Sequence, residues 1–398
     1  MSCGSPPARA AGPSLAVVLR AGIISSHPSL PKHHWRILNA LLVCRTPALG
    51  GHRYQCLECG RTHFVPHSCR NRHCPLCQGQ TAREWLAQQE ASMLPVPYFH
   101  LVFTLPHVLN PLVQQNQRAL YTLLFNAAAR TLLQFGQERF KAQLGITAVL
   151  HTWSQTLLDH YHLHCVVTGG GLALDGKSWV SLNPKWLFPV QALSLVFRAK
   201  FREGLKQLFD KGELQFPNSP PGLSDPLVFA RWLRDVCRQK WVVYTKRPFA
   251  GPQAVLGYLC RYTHRVAISN NRLEVLDLEY GTITFRYKDY AHDSRIRSMT
   301  LPLEEFLRRF CLHILPPRFV KIRGYGLLSN RDRSTRIEQA RALLAQDPAL
   351  SKQQPSEDVF TIKHLEPSPL VCPHCGRPGL VLIRVIDRPK KPPTWDTS

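Results

Sequence analysis

The stretch Asp159-His160-Tyr161-His162-Leu163-His164-Cys165-Val166-Val167, followed after Thr168 by three glycines, decides how the chain folds. Side chains alternate across a β-strand, so its histidines point to one side and Tyr161, Leu163 and Cys165 point to the other. The apolar side can pack on a core, and neutral imidazoles are common ligands of divalent metals. The stretch therefore predicts a strand that places a row of metal ligands on one face of a sheet. A histidine-rich surface strand that binds no metal is the alternative.

A second motif lies further along the chain, in residues 251–265. Pro252 fits the first position of a helix, and Tyr258 and Tyr262 are four apart, so a helix would place both phenols on one face. A tyrosine pair at this spacing is also typical of core packing. Three cationic or imidazole side chains beside the pair instead favour contact with a phosphodiester: Arg261, His264 and Arg265.

The cysteines indicate metal binding. The chain has 13 of them, and three Cys-x-x-Cys pairs are present. Cys56 and Cys59 are separated from Cys74 and Cys77 by residues 60–73, which is the spacing of a four-thiolate zinc site. A redox dithiol is the alternative for each pair. Side chains between the pairs that could replace a thiolate or help bind a second ion are His63, His67, Cys69 and His73. Flanking arginines that suit a DNA-reading module include Arg70 and Arg72.

The third pair, Cys372 and Cys375, is half of a zinc site. It could recruit His374 or His364, pair with another subunit, or bind nothing. Because the pair supplies only two thiolates, these alternatives stay open.

Composition favours a polyanionic partner. Lys and Arg number 50 against 26 Asp and Glu, which gives a formal net charge of +24 spread along 398 residues. Such an excess is typical of nucleic-acid binding, while a merely basic protein or a membrane-surface protein is the weaker alternative. No apolar run approaches the length of a membrane span, and residues 15–19 are too short for a signal peptide. The length allows two or three domains.

The motifs together resemble those of a known family. His162-Leu163-His164 is similar to the His-hydrophobe-His motif of HUH endonucleases, and Tyr258-x-x-x-Tyr262 is similar to their two-tyrosine motif. Residues 51–333 resemble the two-tyrosine rolling-circle transposases of bacterial insertion sequences, with an N-terminal transposase zinc-binding domain. The four blocks that carry the resemblance are 69–77, 103–106, 159–171 and 258–270. Tyr161 and Thr168 depart from the family pattern, where proline is usual, and this concerns local backbone shape rather than a ligand or nucleophile.

The resemblance implies an α+β fold: an HUH endonuclease domain with a central antiparallel sheet flanked by helices, plus a small N-terminal zinc-binding module. It implies a DNA transposase that nicks and rejoins single-stranded DNA at element ends through a 5′-phosphotyrosine intermediate. Tyr258 and Tyr262 would be the nucleophiles, and His162 and His164 would hold a catalytic Mg²⁺ or Mn²⁺. The third ligand is open among His160, Asp159 and Gln253, and Gln253 ranks before His160, since three ligands at alternate positions of one flat strand converge poorly on one ion.

Two other classes of function compete with this interpretation. A non-catalytic zinc-dependent DNA-binding protein would need only the cysteines and the charge, and would leave the histidine strand and the tyrosines unexplained. A plasmid relaxase or replication initiator would share the chemistry but would more often carry a helicase or primase partner, and the sequence has no phosphate-binding Gly-x-x-x-x-Gly-Lys motif. The protein is expected in the bacterial cytoplasm, associated with the nucleoid and not with a membrane, and a homodimer is compatible with the sequence.

The predicted domains are an N-terminal segment (1–50), partly disordered and then helical, a zinc-binding DNA-recognition module (51–93), the HUH domain (94–330) with an insertion at about 177–246, and a basic tail (331–398). Within them, the patterns predict helices at 81–93, 111–144, 191–211 and 226–240. Strands are predicted at 98–105, 147–153, 156–168, 265–269, 273–278 and 282–287. Gly169, Gly170 and Gly171 are predicted to form a turn.

Overall fold

The computed structural model describes residues 12–90, 92–183, 188–217, 220–249, 255, 257–258, 263–290, 292–346 and 371–389. Its helices are α1 (Leu15–Ser26), α2 (Lys32–Leu42), α3 (Pro75–Glu90), α4 (Asn110–Gln115), α5 (Gln117–Phe140), α6 (Val190–Asp210), α7 (Pro226–Arg238), α8 (Leu303–Leu312) and α9 (Arg333–Ala345). Its strands are β1 (Gly51–Cys56), β2 (Thr62–Pro66), β3 (Tyr98–Thr104), β4 (Ala142–Trp153), β5 (Asp159–Ala173), β6 (Trp179–Ser181), β7 (Val242–Phe249), β8 (Leu273–Asp277), β9 (Thr282–Asp289), β10 (Arg295–Pro302), β11 (Ile322–Gly326) and β12 (Leu380–Ile386).

A central antiparallel sheet carries the histidine strand. Its order among the described residues is β11-β4-β5-β3-β7, and the short β6 pairs with β5. Tyr161, Leu163 and Cys165 are fully buried on the face that packs against α5 and α6, as the alternating pattern predicts. The histidines lie on the other face. The structure confirms the predicted α+β class, with a central antiparallel sheet flanked by helices.

The long helix predicted at 111–144 is interrupted in two places. Asn116 has a non-helical backbone, and its side-chain amide donates to the carbonyl of Gln215 at 2.8 Å and accepts from the Gln215 amide at 2.8 Å. Lys141 ends α5 in the left-handed conformation, with φ of 53°. The residues that follow belong to β4 instead, because they pair with the end of β5.

The prediction that the three glycines form a turn is wrong. They continue β5, and the hairpin turns at residues 174–178 instead, where Gly176 has φ of 71°. Glycine is needed here for close approach: a Cβ on Gly170 would lie 2.5 Å from the Trp179 ring nitrogen, and one on Gly171 would lie 2.5 Å from the Gln143 carbonyl oxygen.

A second sheet and the helix α8 pack against the N-terminal helices α1 and α2. Strands β8, β9 and β10 form a separate antiparallel sheet, and α8 follows it directly. Leu19 of α1 and Leu38 of α2 are buried in one cluster with Phe285 of β9 and Phe306 of α8. Residues 265–269, predicted as a strand, form no strand. The order of α1 within the segment expected to be partly disordered follows from this packing.

The predicted zinc-binding segment forms a third sheet, of order β12-β1-β2. Its outer strand β12 comes from the basic tail and pairs antiparallel with β1, so that Gly51 lies opposite Ile386 and Cys56 lies opposite Leu380. The domain boundaries given above stay predictions. Within the described residues, no helix is long and apolar enough to cross a membrane.

Candidate active site and metal centres

Three imidazoles meet on the open face of the central sheet. His162 and His164 come from β5, and His151 comes from β4, where it lies directly opposite His162 in the register. One ligand nitrogen from each of the three lies within 4.8 Å of the other two. His151 and His164 are buried, at 3% and 8% exposure. Three neutral nitrogens at such separations, each held by a rigid strand, suit one divalent cation.

The site keeps its imidazoles neutral. Burial lowers the pKa of His162 to about 3, and nearby histidines and Arg265 add to that effect. Burial likewise lowers the pKa of His164, helped by His151 and His162. The Nδ1–H of His162 donates to the carbonyl oxygen of His160 at 2.8 Å, which leaves its Nε2 available as a ligand. The histidines are therefore ready to bind a cation at neutral pH.

Tyr258 lies beside this group. It is helical and 6% exposed, and it packs with Val255, Tyr98 and Val166 on the open face of the sheet. Its hydroxyl oxygen is 2.5 Å from Nε2 of His100 and 3.0 Å from Nδ1 of His164. The phenol thus touches one member of the histidine group directly.

His100 completes the network from the neighbouring strand β3. Its ring stacks on that of His164, with centroids 5.2 Å apart and planes 9° from parallel. One consistent assignment has Tyr258 donate its O–H to Nε2 of His100 while Nδ1–H of His164 donates to the phenol oxygen. This assignment leaves Nε2 of His164 available as a ligand.

Of the three candidates for a third ligand, Asp159 is not part of the histidine group, and its carboxylate accepts hydrogen bonds from Tyr161 and Gln114. His160 shares the face of β5 with the other histidines and its ring contacts that of His162, but its Nδ1 lies 3.2 Å from Nε2 of His107 and its nitrogens do not join the group that could hold a cation. Gln253 lies outside the described residues, as do Tyr262 and Arg261. The geometry brings in His151 instead, a residue that the sequence patterns did not single out.

The predicted DNA contacts occupy different surroundings. Arg265 lies close enough to His162 and His164 for its charge to lower the pKa of both. The imidazole of His264 lies against the Trp85 ring, with centroids 5.6 Å apart. Arg70 is exposed. Arg72 is half-buried, and its guanidinium donates to the carbonyl oxygens of residues 316 and 319, so it anchors the zinc-binding segment to the main body.

The grouping of Cys56, Cys59, Cys74 and Cys77 into a single site is corrected by the structure. Cys74 and Cys77 meet two other thiols, and the four Sγ atoms of that group, which we call the inner cluster, lie within 4.8 Å of one another: Cys44, Cys69, Cys74 and Cys77. Cys44 follows α2 and belongs to none of the Cys-x-x-Cys pairs, and Cys69 lies between the two pairs of the N-terminal module. Side-chain hydrogen bonds from Cys69 and Cys74 lower the pKa of Cys44.

Cys56 and Cys59 belong to a second group, which we call the outer cluster. Here they meet Cys372 and Cys375, again with all four Sγ atoms within 4.8 Å. The physical reason for the regrouping is the pairing of β12 with β1, which brings the tail to the first Cys-x-x-Cys pair. The half site of the tail is thus paired within the described chain.

Comparisons with known proteins fit this geometry. Residues 145–335 match the family described as "Putative transposase", and residues 20–105 match "Transposase zinc-binding domain". The chain is 44% identical over 396 residues to "Putative transposase y4qJ" of Sinorhizobium fredii (strain NBRC 101917 / NGR234), covering 97% of this chain and 99% of that protein. This chain belongs to the transposase family. The predicted family resemblance is therefore confirmed.

A more distant relative has the same family character. The transposase is 30% identical over 296 residues to "Transposase for insertion sequence element IS801" of Pseudomonas savastanoi pv. phaseolicola, covering 73% of this chain and 69% of the relative. The zinc-binding match and the cysteine clusters together support zinc as a cofactor of the transposase.

Two solved structures are also similar. Both are of the conjugative relaxase TrwC in complex with oriT DNA. The metal-bound one is 16% identical, covers 60% of this chain and 96% of its own, and has a TM-score of 0.25. The copper-bound one is 17% identical, covers 54% and 86%, and has a TM-score of 0.23.

Proposed function

We propose that this transposase nicks and rejoins single-stranded DNA at the ends of its element, with the hydroxyl of Tyr258 as a nucleophile. The product of the first step is a phosphotyrosine bond to the 5′ side of the nick and a free 3′ hydroxyl. Repeated strand transfer of this kind drives rolling-circle transposition, as the family resemblance implies. The protein acts on DNA in the bacterial cytoplasm, at the nucleoid.

One observation carries the proposal: the Tyr258 hydroxyl lies 2.5 Å from His100 and 3.0 Å from His164. A tyrosine used only for packing needs at most one partner for its hydroxyl. Here the hydroxyl meets an imidazole of the group that could hold a cation. A nucleophile within hydrogen-bond reach of its activating groups is the arrangement that covalent catalysis requires.

His151, His162 and His164 would hold a divalent cation, Mg²⁺ or Mn²⁺. When bound, such an ion supplies a Lewis acid that offsets the charge on the oxygens of the scissile phosphate. Three neutral imidazoles are an unusual ligand set for Mg²⁺, which prefers oxygen, and are better suited to Mn²⁺ or a later transition metal. These three histidines therefore fit Mn²⁺ better than Mg²⁺.

Side chains of the protein accept the hydroxyl proton of Tyr258 and supply the nucleophile for the phosphate. His100 accepts the hydroxyl proton of Tyr258 at Nε2, and Nδ1–H of His164 stabilises the phenolate oxygen that results. The phenolate attacks phosphorus, the bond to the 3′ oxygen breaks, and that oxygen takes up, through water, the proton held by His100, so that the imidazole returns to its neutral form. The phosphodiester that is lost is replaced by a phosphotyrosine of similar energy, so the step reverses onto a new 3′ hydroxyl without a high-energy cofactor.

Positive charge supports the choice of substrate. Arg265 lies near the histidine group, where a scissile phosphate would sit, and the net charge of +24 favours a polyanion throughout. Tyr262, four residues after Tyr258, would hold a second strand while the first stays attached. Arg70, Arg261 and His264 remain candidate DNA contacts. A homodimer would suit the use of two element ends.

The test is a covalent-adduct assay. Single-stranded oligonucleotides that carry the element end are incubated with the protein and Mn²⁺ or Mg²⁺, and adducts are separated by denaturing electrophoresis. The variants are Tyr258→Phe, Tyr262→Phe and the double variant, and Tyr280→Phe serves as a matched control because that ring is 75% exposed in the turn after β8.

The double variant should form no adduct while its fold, zinc content and DNA binding persist, and the Tyr280 variant should behave as the wild type does. An adduct that survives in the double variant would refute the assignment of the nucleophiles. DNA binding without any adduct in the wild type would favour the alternative of a non-catalytic zinc-dependent DNA-binding protein.

A further inference from the structure

The two Cys-x-x-Cys pairs of the outer cluster belong to a short internal repeat. The sequence Cys56-Leu57-Glu58-Cys59-Gly60-Arg61 matches Cys372-Pro373-His374-Cys375-Gly376-Arg377 at both cysteines, the glycine and the arginine. The two copies are far apart in the chain, and the second lies beyond residues 20–105, which match the zinc-binding family.

The two copies share one backbone conformation. In the first, the amide of Cys56 donates to the carbonyl of Arg61 at 2.9 Å, and the amide of Gly60 donates to the carbonyl of Cys56 at 2.9 Å. In the second, the corresponding bonds run from Cys372 to Arg377 at 2.8 Å and from Gly376 to Cys372 at 2.9 Å. Both glycines have φ of 70°, which a residue with a side chain rarely adopts. Each copy is therefore a tight loop that turns two thiols toward one point.

Reciprocal contacts join the two loops. Arg377 forms an ion pair with Glu58 at 3.3 Å, and the guanidinium of Arg61 lies 3.4 Å from Nδ1 of His374. The arginine of each copy thus contacts the third residue of the other copy. The thiols are arranged with the same symmetry: Sγ of Cys56 lies 3.7 Å from that of Cys375, and Sγ of Cys59 lies 3.7 Å from that of Cys372.

We propose that the outer cluster is a second structural zinc site, separate from the inner cluster. The outer site has all four of its thiolates only when the tail docks on the N-terminal module. Four thiolates from two knuckles are the ligand set of a tetrahedral zinc ribbon. The site lies at one end of the β1-β12 pair, where the Leu57 amide donates to the Gly379 carbonyl at 3.0 Å. The proposal does not depend on the tyrosine chemistry.

The surrounding packing gives a reason for the metal. Strand β12 buries little: Val381, Leu382, Ile383 and Val385 are between 44% and 53% exposed. A strand that removes so little apolar surface from water cannot hold itself on the sheet through the hydrophobic effect alone. Zinc bound by two thiolates from each side would supply the missing free energy, as it does in small zinc-dependent modules.

The first experiment counts zinc. Purified full-length protein is analysed by elemental mass spectrometry, and the expectation is two zinc ions per chain. Cys372→Ser combined with Cys375→Ser should retain one, and Cys44→Ser combined with Cys69→Ser should also retain one. Cys165→Ala, in the core of the central sheet and outside both clusters, should retain two. A Cys372/Cys375 variant with the zinc content of the wild type, or a wild type with one ion, would overturn the proposal.

The second experiment asks whether zinc holds the tail in place. A specific protease site is inserted in residues 347–370, between α9 and the second knuckle, and the C-terminal fragment carries an affinity tag. After cleavage the two fragments should copurify, and a zinc chelator should separate them. In the Cys372→Ser, Cys375→Ser variant they should separate without chelator. Fragments that stay together in that variant, or that separate in the zinc-loaded wild type, would contradict the docking.

Discussion

Replacing His151 by leucine should weaken divalent-metal binding at the histidine group and slow adduct formation. Leucine keeps most of the volume of a side chain that is 3% exposed, so the main loss is one of three ligand nitrogens. Removal of a hydrogen-bond partner behind a metal ligand typically weakens binding by 10- to 100-fold, and loss of the ligand itself should reach at least the upper figure, about 2.7 kcal/mol.

The matched control is His160→Leu. His160 lies on the same face of the same strand, two residues from His162; its ring contacts those of His107 and His162, but its nitrogens do not join the group that could hold a cation. Its metal affinity should therefore stay within about threefold of the wild type, inside the range of ordinary surface effects. The two variants differ in ligand geometry while sharing the chemistry of the substitution.

Metal affinity is measured by a titration with Mn²⁺ that is monitored by electron paramagnetic resonance. Adduct formation is measured under single-turnover conditions at several Mn²⁺ concentrations. Circular dichroism and thermal melting check that both variants fold. If His160→Leu lost its affinity for Mn²⁺ and His151→Leu kept it, the third ligand would be His160, on the same strand as His162 and His164. The reasoning from the register between β4 and β5 would then be refuted.

Three further results are expected. His100→Leu should slow adduct formation by Tyr258 by about 10²- to 10⁴-fold, because it removes the imidazole that accepts the phenol proton; an unchanged single-turnover rate would contradict the role of His100 as the base. Arg265→Gln should reduce the salt dependence of single-strand binding by about 0.7 in the slope of log affinity against log salt, whereas Arg72→Gln should leave that slope unchanged, and fluorescence anisotropy at several salt concentrations separates the two. Burial lowers the pKa of Lys321 to about 8 in the folded state, below its value in the unfolded chain. The cost of burying the charged ammonium therefore lowers the free energy of unfolding fully below pH 8, and this cost disappears as the pH rises toward the pKa of the unfolded chain. Lys321→Met should therefore raise the free energy of unfolding at pH 7 more than at pH 10, which urea denaturation at the two pH values can measure.

Local patterns predicted those parts of the structure that local forces determine. The alternation in β5 gave the correct face for His162 and His164, because side chains on a strand must alternate whatever surrounds it. The predicted helices at 191–211 and 226–240 correspond to α6 and α7, and the predicted strand at 98–105 corresponds to β3. These elements have strong periodicity or clear first residues, such as Pro226.

The remaining features depend on contacts between distant parts of the chain. His151 becomes a neighbour of His162 only through the register of β4 with β5, which no local pattern specifies. Cys-x-x-Cys spacing identified the thiols as metal ligands but not their partners, since Cys44 reaches Cys74 and Cys372 reaches Cys59 only in the folded chain. The glycines of β5 suggested a turn because their real cause, the close approach of Trp179 and Gln143, lies outside the motif.

The pairing of β12 with β1 also bears on the order of events during synthesis. β1 is the first strand of the described chain and β12 is the last, and Gly51 lies opposite Ile386. While the chain is still on the ribosome, β1 can pair with β2 but its other edge stays open, and an open edge invites pairing with the wrong strand. Contacts so distant in sequence also form slowly. A nascent chain that has already made the histidine site must therefore still protect an exposed edge, until β12 is made and covers β1.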